Sequence, residues 1–397
     1  MTMKLRLPAL ALLLITVAAA DTGPGYHVLK SVVLGGTDGW DYVALDSMHH
    51  RLFVARQTRV MILDPASGKL LGEVTGLNGA HGTAFAYAVN RGFATSGRDS
   101  TVTMFNLDTY QVLGKLKADE DADAVLYDPA TKRIYTMNGD AETSTVIDPA
   151  AGKVVGTIRL GGKPEFAVSA GDGMLYANLE DKADIVEIDA KGLKVVREWP
   201  MAPCTSPTGL AIDRQHHRLF SGCRNRVMAI SDAHQGRLLA TVPIGAGVDA
   251  NAYDPGTGFA FSSNGEGTVT VVREEAPGKF TVAETVPTMT GARTMALDPT
   301  THTLYLVGAK FAPLPDSAAP GTGRGRRCYR TPSRSSWWDG RQACQRQRIH
   351  VLSSDTVISL RSLLAVTGNG RMCAAVRFRP LPANRRQRPP TGVCASR

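Results

Sequence analysis

The residues of this chain that could do chemistry recur once per repeat, each just before a short strand-like run. They are Trp40, Asp41, Tyr42, His81, Asp123, Glu165, Asp249 and Arg293. Several carboxylates and one histidine can hold a hard cation or recognise a cationic or polyhydroxyl ligand, and an arginine can grip an anion bidentately. These residues are therefore a candidate ligand site, with a solvated rim of charged side chains as the alternative reading.

No familiar catalytic motif accompanies these residues. The chain has no nucleophile elbow, HExxH helix, phosphate-binding loop or Cys-His pair. A non-catalytic binding or scaffold protein is therefore favoured, and no cofactor is expected unless a divalent metal binds. The alternative is a metal-assisted, lactonase-like hydrolase that uses His81 and the carboxylates as acid, base or metal ligands.

The elements that must position these residues follow from an internal repeat. The marker residues after each first strand-like run are Asp46, Tyr87, Asp128, Asp172, Asp213, Asp254 and Asp298, at intervals of 41 or 44 residues. Each unit holds four β-rich runs separated by Asp-Pro and Gly turns, as in AVLYD, RIYTM, STVID and VVGTIRL of residues 122–161. Seven such units predict a seven-bladed β-propeller of four-stranded antiparallel blades. The loops entering the first strands should then meet at one mouth of the central channel.

The chain does not begin at the first strand of a blade. Residues 26–36 resemble a fourth, outer strand, so we expect the N-terminus to complete the last blade and close the ring. That last blade has a first strand near Arg293 and a second at 303–307, but no third strand follows Pro313. The sequence therefore predicts a propeller over 21–313 with an incomplete last blade.

Residues 314–397 are rich in Arg, Pro and Ser and predict a disordered basic tail. A frameshifted reading is the sharper hypothesis, because shifted codons for residues 332–339 can spell a hydrophobic third strand followed by Val-Gly. The tail also explains the formal charge of +9, since residues 21–313 carry 27 Lys and Arg against 33 Asp and Glu.

The N-terminus predicts export. Lys4 and Arg6 precede an apolar run over 7–20 that ends in Ala-Ala-Ala, which is typical of a secretory signal peptide over 1–20. We expect a periplasmic or secreted monomer without a membrane span. In that oxidising setting Cys204 and Cys223, at the same end of the fifth unit, predict a disulfide; a metal site or catalytic thiol is the alternative, which the lack of a histidine at ligand spacing disfavours.

Several motifs together resemble a known group. LYDPATKRIYTMNGD, GKVVGTIRLGG, KPEFAV, NLED and GLAIDRQHHRLFSGC are similar to those of the YVTN-repeat β-propellers, and within them the exported YncE-like proteins. The resemblance covers about residues 26–313 and implies a seven-bladed propeller without an established general activity. DNA binding reported in the group makes single-stranded DNA binding a third hypothesis, which the mildly acidic array disfavours. The expected partner is an unidentified small molecule or protein at the channel mouth.

Overall fold

Seven antiparallel sheets of four strands each form a seven-bladed β-propeller. The computed structural model describes residues 25–36, 38–311 and 344–354, and in these ranges the only helix is a short 3-10 turn at Tyr87–Val89. No helix in the same ranges is long and apolar enough to cross a bilayer.

The strands follow one another from the channel outwards in each blade, after an N-terminal strand β1 (Tyr26–Val33). The first blade holds β2 (Val43–Asp46), β3 (Arg51–Arg56), β4 (Arg59–Leu63) and β5 (Leu70–Thr75). The second holds β6 (Ala80–Ala86), β7 (Arg91–Ser96), β8 (Thr101–Asn106) and β9 (Val112–Lys117). The third holds β10 (Ala122–Asp128), β11 (Arg133–Asn138), β12 (Thr143–Asp148) and β13 (Lys153–Arg159).

The remaining four blades repeat this order. The fourth holds β14 (Pro164–Ser169), β15 (Met174–Leu179), β16 (Asp184–Asp189) and β17 (Lys194–Pro200). The fifth holds β18 (Pro207–Asp213), β19 (Arg218–Cys223), β20 (Val227–Asp232) and β21 (Arg237–Pro243). The sixth holds β22 (Val248–Asp254), β23 (Phe259–Asn264), β24 (Thr268–Ala276) and β25 (Lys279–Pro287). The seventh holds β26 (Thr294–Asp298), β27 (Thr303–Phe311) and β28 (Cys344–Ser354), with β1 as its outer strand.

In five blades the marker aspartate closes the turn after the inner strand, whereas the marker is Tyr87 in the second blade and the exposed Asp172, three residues beyond the end of β14, in the fourth. Asp128 is fully buried and accepts hydrogen bonds from the Thr131 N–H at 2.8 Å and the Thr131 hydroxyl at 2.7 Å. Asp254 is equally buried and accepts from the Gly256 N–H at 2.9 Å. A side-chain acceptor in this position satisfies turn donors that the ladder leaves unpaired, so the aspartate stabilises the hairpin turn where it is present.

The hydrophobic core is divided among the blade interfaces. The described residues form seven apolar clusters, and each cluster joins two neighbouring blades. Phe53 of the first blade, for instance, packs with Phe105 of the second at 6.0 Å between ring centroids. Each sheet therefore buries its two faces against its neighbours.

The ring closes through the N-terminal strand, as predicted. β1 pairs with β28 and completes the last blade, while the inner strand β26 packs beside β2 of the first blade. Tyr26 is 3% exposed and inserts edge-on against Phe261, at 5.2 Å between ring centroids. The Tyr26 N–H also donates to Glu284 of the sixth blade at 3.1 Å.

The prediction that the last blade lacks its third strand is wrong. β28 pairs with β27, with His350 opposite Leu306, and with β1, with Leu352 opposite Val28. The β-rich run RIHVL lies within β28 and forms this pairing. The prediction missed it because no turn motif of the repeat precedes it. The propeller therefore extends past Pro313. Three predictions from the sequence lie outside the described residues: the signal peptide, the frameshifted segment at 332–339 and most of the tail. They fall within residues 1–24, 312–343 and 355–397.

The predicted disulfide is confirmed. Cys204 precedes β18 and Cys223 ends β19, and their Cα atoms are 5.5 Å apart in the bridged pair. Both cysteines are buried in the cluster between the fourth and fifth blades. The bond ties the loop entering an inner strand to the end of the second strand, and such a crosslink stabilises a fold by about 2 to 4 kcal/mol.

Closure by β1 predicts a position-dependent effect in that strand. Tyr26→Ala should lower the free energy of unfolding by about 3 kcal/mol, because it removes a buried ring between the last two blades. Leu29→Ala in the same strand should change it by less than about 0.5 kcal/mol, because Leu29 is 47% exposed. Urea unfolding followed by tryptophan fluorescence measures both variants. Equal losses for the two would contradict closure through packing of Tyr26.

Candidate functional site

The inner strands present their mouth residues through a repeated irregularity. The pairing register of the first and second strands shifts around His81, Asp123, Glu165, Thr208 and Asp249, once in each of the second to sixth blades. A β-bulge releases a residue from the ladder and re-aims its side chain. This break turns His81, Asp123, Glu165 and Asp249 towards the channel, whereas Thr208 of the fifth blade is buried and donates to the carbonyl oxygen of Val248 at 3.0 Å.

Hydroxyl groups of the neighbouring blade fix the backbone at two of the acidic mouth residues, Asp41 and Asp123. Thr95 of the second blade donates to the carbonyl oxygen of Asp123 in the third. Thr294 of the last blade donates to the carbonyl oxygen of Asp41 in the first at 2.9 Å. Both threonines are fully buried, so the mouth is held by bonds that run from blade to blade.

His81 lies between two carboxylates. Its Nδ1 contacts Asp41 Oδ2 and lies 3.3 Å from Asp123 Oδ1. Burial alone would lower the pKa of His81, but Asp123 and Asp41 raise it to about 10. The imidazole is therefore a cation at neutral pH, and its positive charge is shared by carboxylates of the two flanking blades.

Arg293 likewise lies between two carboxylates, those of Asp41 and Asp249. Its Nε lies 2.7 Å from Asp249 Oδ2, in a charge contact whose N–H is not aligned for a hydrogen bond, and its Nη2 lies 3.7 Å from Asp41 Oδ1. The nearby Asp249 is the main reason that the pKa of Arg293 is raised.

The contacts form a chain of alternating acidic and basic side chains around the mouth. Asp249, Arg293, Asp41, His81 and Asp123 come from the sixth, seventh, first, second and third blades in that spatial order. The side chains of Asp41 and Asp123 remain 18% exposed, so solvent still reaches the chain and screens it. Five neighbouring blades are thereby linked by electrostatic contacts at the axis.

The carboxylates nonetheless exceed the cations that pair with them. Burial raises the pKa of Asp123 to about 8, although the charge of His81 counteracts the shift. Burial and the charge of Asp123 also raise the pKa of Glu165, well above its usual value. At neutral pH the mouth therefore holds protons on groups that are usually ionised.

An aromatic pair crosses the channel. The rings of Tyr42 in the first blade and Phe166 in the fourth are 5.4 Å apart between centroids and inclined by 63°. Both rings pack against the core between the third and fourth blades. Burial, and then the charges of Asp123 and Glu165, raise the pKa of Tyr42 well above its usual value, so the phenol stays protonated.

The predicted site is only partly assembled as expected. Seven of its residues meet at the mouth, whereas Trp40 is 7% exposed and lies in the core between the first and last blades. Two other mouth-facing turn residues are also structural: Asn138 donates to Thr143 and Thr145 at 3.0 Å, and Asn264 bonds within its own blade in the same way.

Sequence reasoning missed Phe166 and Asp121. The residue after each bulged mouth position is Gly or Ala at Gly82, Ala124, Gly209 and Ala250, but aromatic at Phe166. That departure, matched by Tyr42 three blades away, is the signal that could have found the ring pair. Asp121 precedes an inner strand and has a raised pKa because of its burial and of the charge of Asp140.

Comparison with known proteins adds little to this geometry. No family model and no curated protein matches the chain. Among solved structures, Kuenenia stuttgartiensis hydrazine synthase is similar at 15% identity and a TM-score of 0.45, over 67% of this chain and 99% of that one.

The position of His81 predicts a pH-dependent loss of stability on its replacement. His81→Gln should lower the free energy of unfolding by about 2 kcal/mol at pH 7, because Asp41 and Asp123 lose the cation between them. A raised histidine pKa contributes stability that is present at low pH and lost as pH rises through about 10. The difference between the two proteins should therefore shrink as pH rises from about 6.5 and be nearly gone by about pH 10, and it should also shrink at acidic pH where the carboxylates are protonated.

Urea unfolding across pH 4 to 11 measures this difference. His234→Gln is the matched control, because His234 lies in an exposed turn on the opposite face. A loss that is independent of pH, or equal in the control, would contradict the paired role of His81.

Proposed function

We propose that this chain is an exported, non-catalytic β-propeller of the cell envelope that binds a positively charged ligand at its channel mouth. The proposal includes the YVTN-repeat, YncE-like relationship and the export that the N-terminal residues predict. It does not depend on which physiological ligand supplies the charge.

The observation that carries the proposal is the unbalanced charge of the mouth. Asp41, Asp123, Glu165 and Asp249 converge there, and the cations in the alternating chain are His81 and Arg293. Protonation neutralises part of this excess negative charge at pH 7, since the pKa of Asp123 is about 8. A cationic ligand replaces such a proton and gains the attraction of the ionised carboxylates.

The aromatic pair favours an organic cation over a bare metal ion. The faces and edges of Tyr42 and Phe166 border the same carboxylates, and aromatic faces attract ammonium groups. A metal ion bound by His81 must first displace a proton from a group whose pKa is about 10, which is costly at neutral pH.

Binding is favoured over catalysis by the state of the same histidine. A general base has to be unprotonated near the working pH, whereas His81 is held as a cation by Asp41 and Asp123. The mouth also disfavours single-stranded DNA, because its excess carboxylates repel a phosphate backbone.

The proposal predicts pH-dependent binding of tetramethylammonium, whose own charge does not change with pH. Affinity should rise about tenfold from pH 7 to pH 9, because the ionised fraction of a carboxyl with a pKa of about 8 rises by that factor. Isothermal calorimetry in two buffers of different ionisation enthalpy should show proton release on binding.

Matched variants locate the effect. Asp123→Asn should remove the rise with pH, whereas Asp99→Asn should keep it, because Asp99 lies on the same face but pairs with Lys115. Absence of binding at every pH, or an unchanged pH profile in Asp123→Asn, would refute the proposal.

A metal-assisted hydrolase is the second candidate, and one specific observation favours it. Ligand atoms of Asp41, His81 and Asp123 lie within 4.8 Å of one another, close enough to coordinate one divalent ion. It predicts saturable hydrolysis of a simple lactone in the presence of Ca²⁺, Mn²⁺ or Zn²⁺. That activity should fall at least about 100-fold in His81→Ala, and an inert metal-loaded protein would count against this candidate.

A further inference from the structure

The sixth blade has a longer outer hairpin than the blades before it. β24 and β25 each span nine residues, whereas the third and fourth strands of the first five blades span five to seven. Third strands run away from the channel mouth, so the extra residues project from the opposite face. The extension pairs Glu274 with Phe280 and Ala276 with Lys279.

This extension forms one wall of a cleft beside the fifth blade. The cleft has a volume of about 420 Å³, which is within the size range of small-molecule sites. Phe220, Tyr253, Val272 and Phe280 provide its apolar lining. The Phe220 and Tyr253 rings are stacked at 5.4 Å and 9°, and Phe280 meets Phe220 edge-on at 6.2 Å. These side chains belong to the core between the two blades, so the apolar lining is rigid.

The charged groups that line the cleft differ in how well they are neutralised. Asp213 accepts from His216 Nδ1 at 2.6 Å, and Glu275 pairs with Arg273 at 3.3 Å and Lys279 at 3.2 Å. Both carboxylates are therefore already partnered.

Glu274 is the exception. Its Oε1 accepts from the Gly278 N–H at 2.6 Å, and among the described residues the cation that pairs with it is Arg218, whose Nη2 lies 3.9 Å away. Arg218 Nη1 contacts Asp232 at 3.2 Å, so one guanidinium serves two carboxylates. The negative charge of Glu274 is therefore only partly neutralised where it faces the cleft, and it would repel a ligand carboxylate.

We propose that this cleft is a second binding site, which takes a small organic ammonium with an apolar ring. The ammonium group donates to the carboxylate of Glu274, and the ring lies along Val272, Tyr253 and Phe280. Cation and apolar surface are the two features that this lining complements. The site is separate from the channel mouth, because it lies on the opposite face and uses none of the mouth residues.

Titration of phenethylamine into the full chain at pH 7 tests the proposal by calorimetry. Glu274→Gln should weaken the cleft site about tenfold, because the amide keeps an acceptor for the Gly278 N–H but loses the charge. Ala276→Trp should abolish binding at the cleft, because it fills the cleft without altering its charge. Phenylpropionate, which carries the same ring on an anion, should not bind.

Two matched variants separate this site from others. Glu198→Gln removes an exposed carboxylate that pairs with Lys182 on the fourth blade, and it should bind phenethylamine as the unaltered protein does. Asp123→Asn weakens only the binding that the proposed channel-mouth site adds, and it should leave binding at the cleft unchanged. Thermal melts confirm folding of every variant.

The proposal is overturned if phenethylamine does not bind, if phenylpropionate binds equally well, or if Glu274→Gln and Ala276→Trp both bind normally. Loss of binding in Asp123→Asn alone would also overturn it and would assign the amine to the channel mouth instead.

Discussion

Every blade of this protein is a thin sheet whose two faces must both be covered by neighbours. The seven interblade clusters meet that need only if the ring is complete, because an open array would leave two apolar faces in water. The first and last blades are therefore held together at the axis, where β26 lies beside β2, and at the rim, where β1 completes the last sheet. Packing of Tyr26 against Phe261 belongs to this closure.

The same constraint creates the chemistry at the channel mouth. Radial packing brings the corresponding residue of every repeat close to the axis, so residues 40 or more positions apart in sequence become neighbours. Bulged inner strands and buried hydroxyls such as Thr95 then hold these residues in place. A chain of alternating charge is tolerated there because each cation, His81 or Arg293, has a carboxylate on both sides. The carboxylates of Asp41, Asp123, Glu165 and Asp249 at the mouth outnumber these two cations.

The two faces of the ring differ for a physical reason. The mouth is built from the starts of inner strands, which converge on the axis and concentrate charge. The opposite face is built from hairpin turns, where buried aspartates such as Asp254 accept hydrogen bonds from the turn backbone. The shape of this face therefore depends on the length of each hairpin. Lengthening one hairpin, as in β24 and β25, is enough to make a cleft there without disturbing the other blades.

The sequence alone determined the blade count, the closing strand, the disulfide and most of the mouth residues, because these follow from a strict repeat and from alternation within it. Only the tertiary structure decided which side chains and strands pack against one another. Trp40 stands next to Asp41 in sequence but packs into the core, and Phe166 meets Tyr42 across the channel. The third strand of the last blade comes from β28, beyond a break in the repeat. Local patterns record strand and turn, whereas the choice of neighbour depends on which surfaces the closed ring brings together.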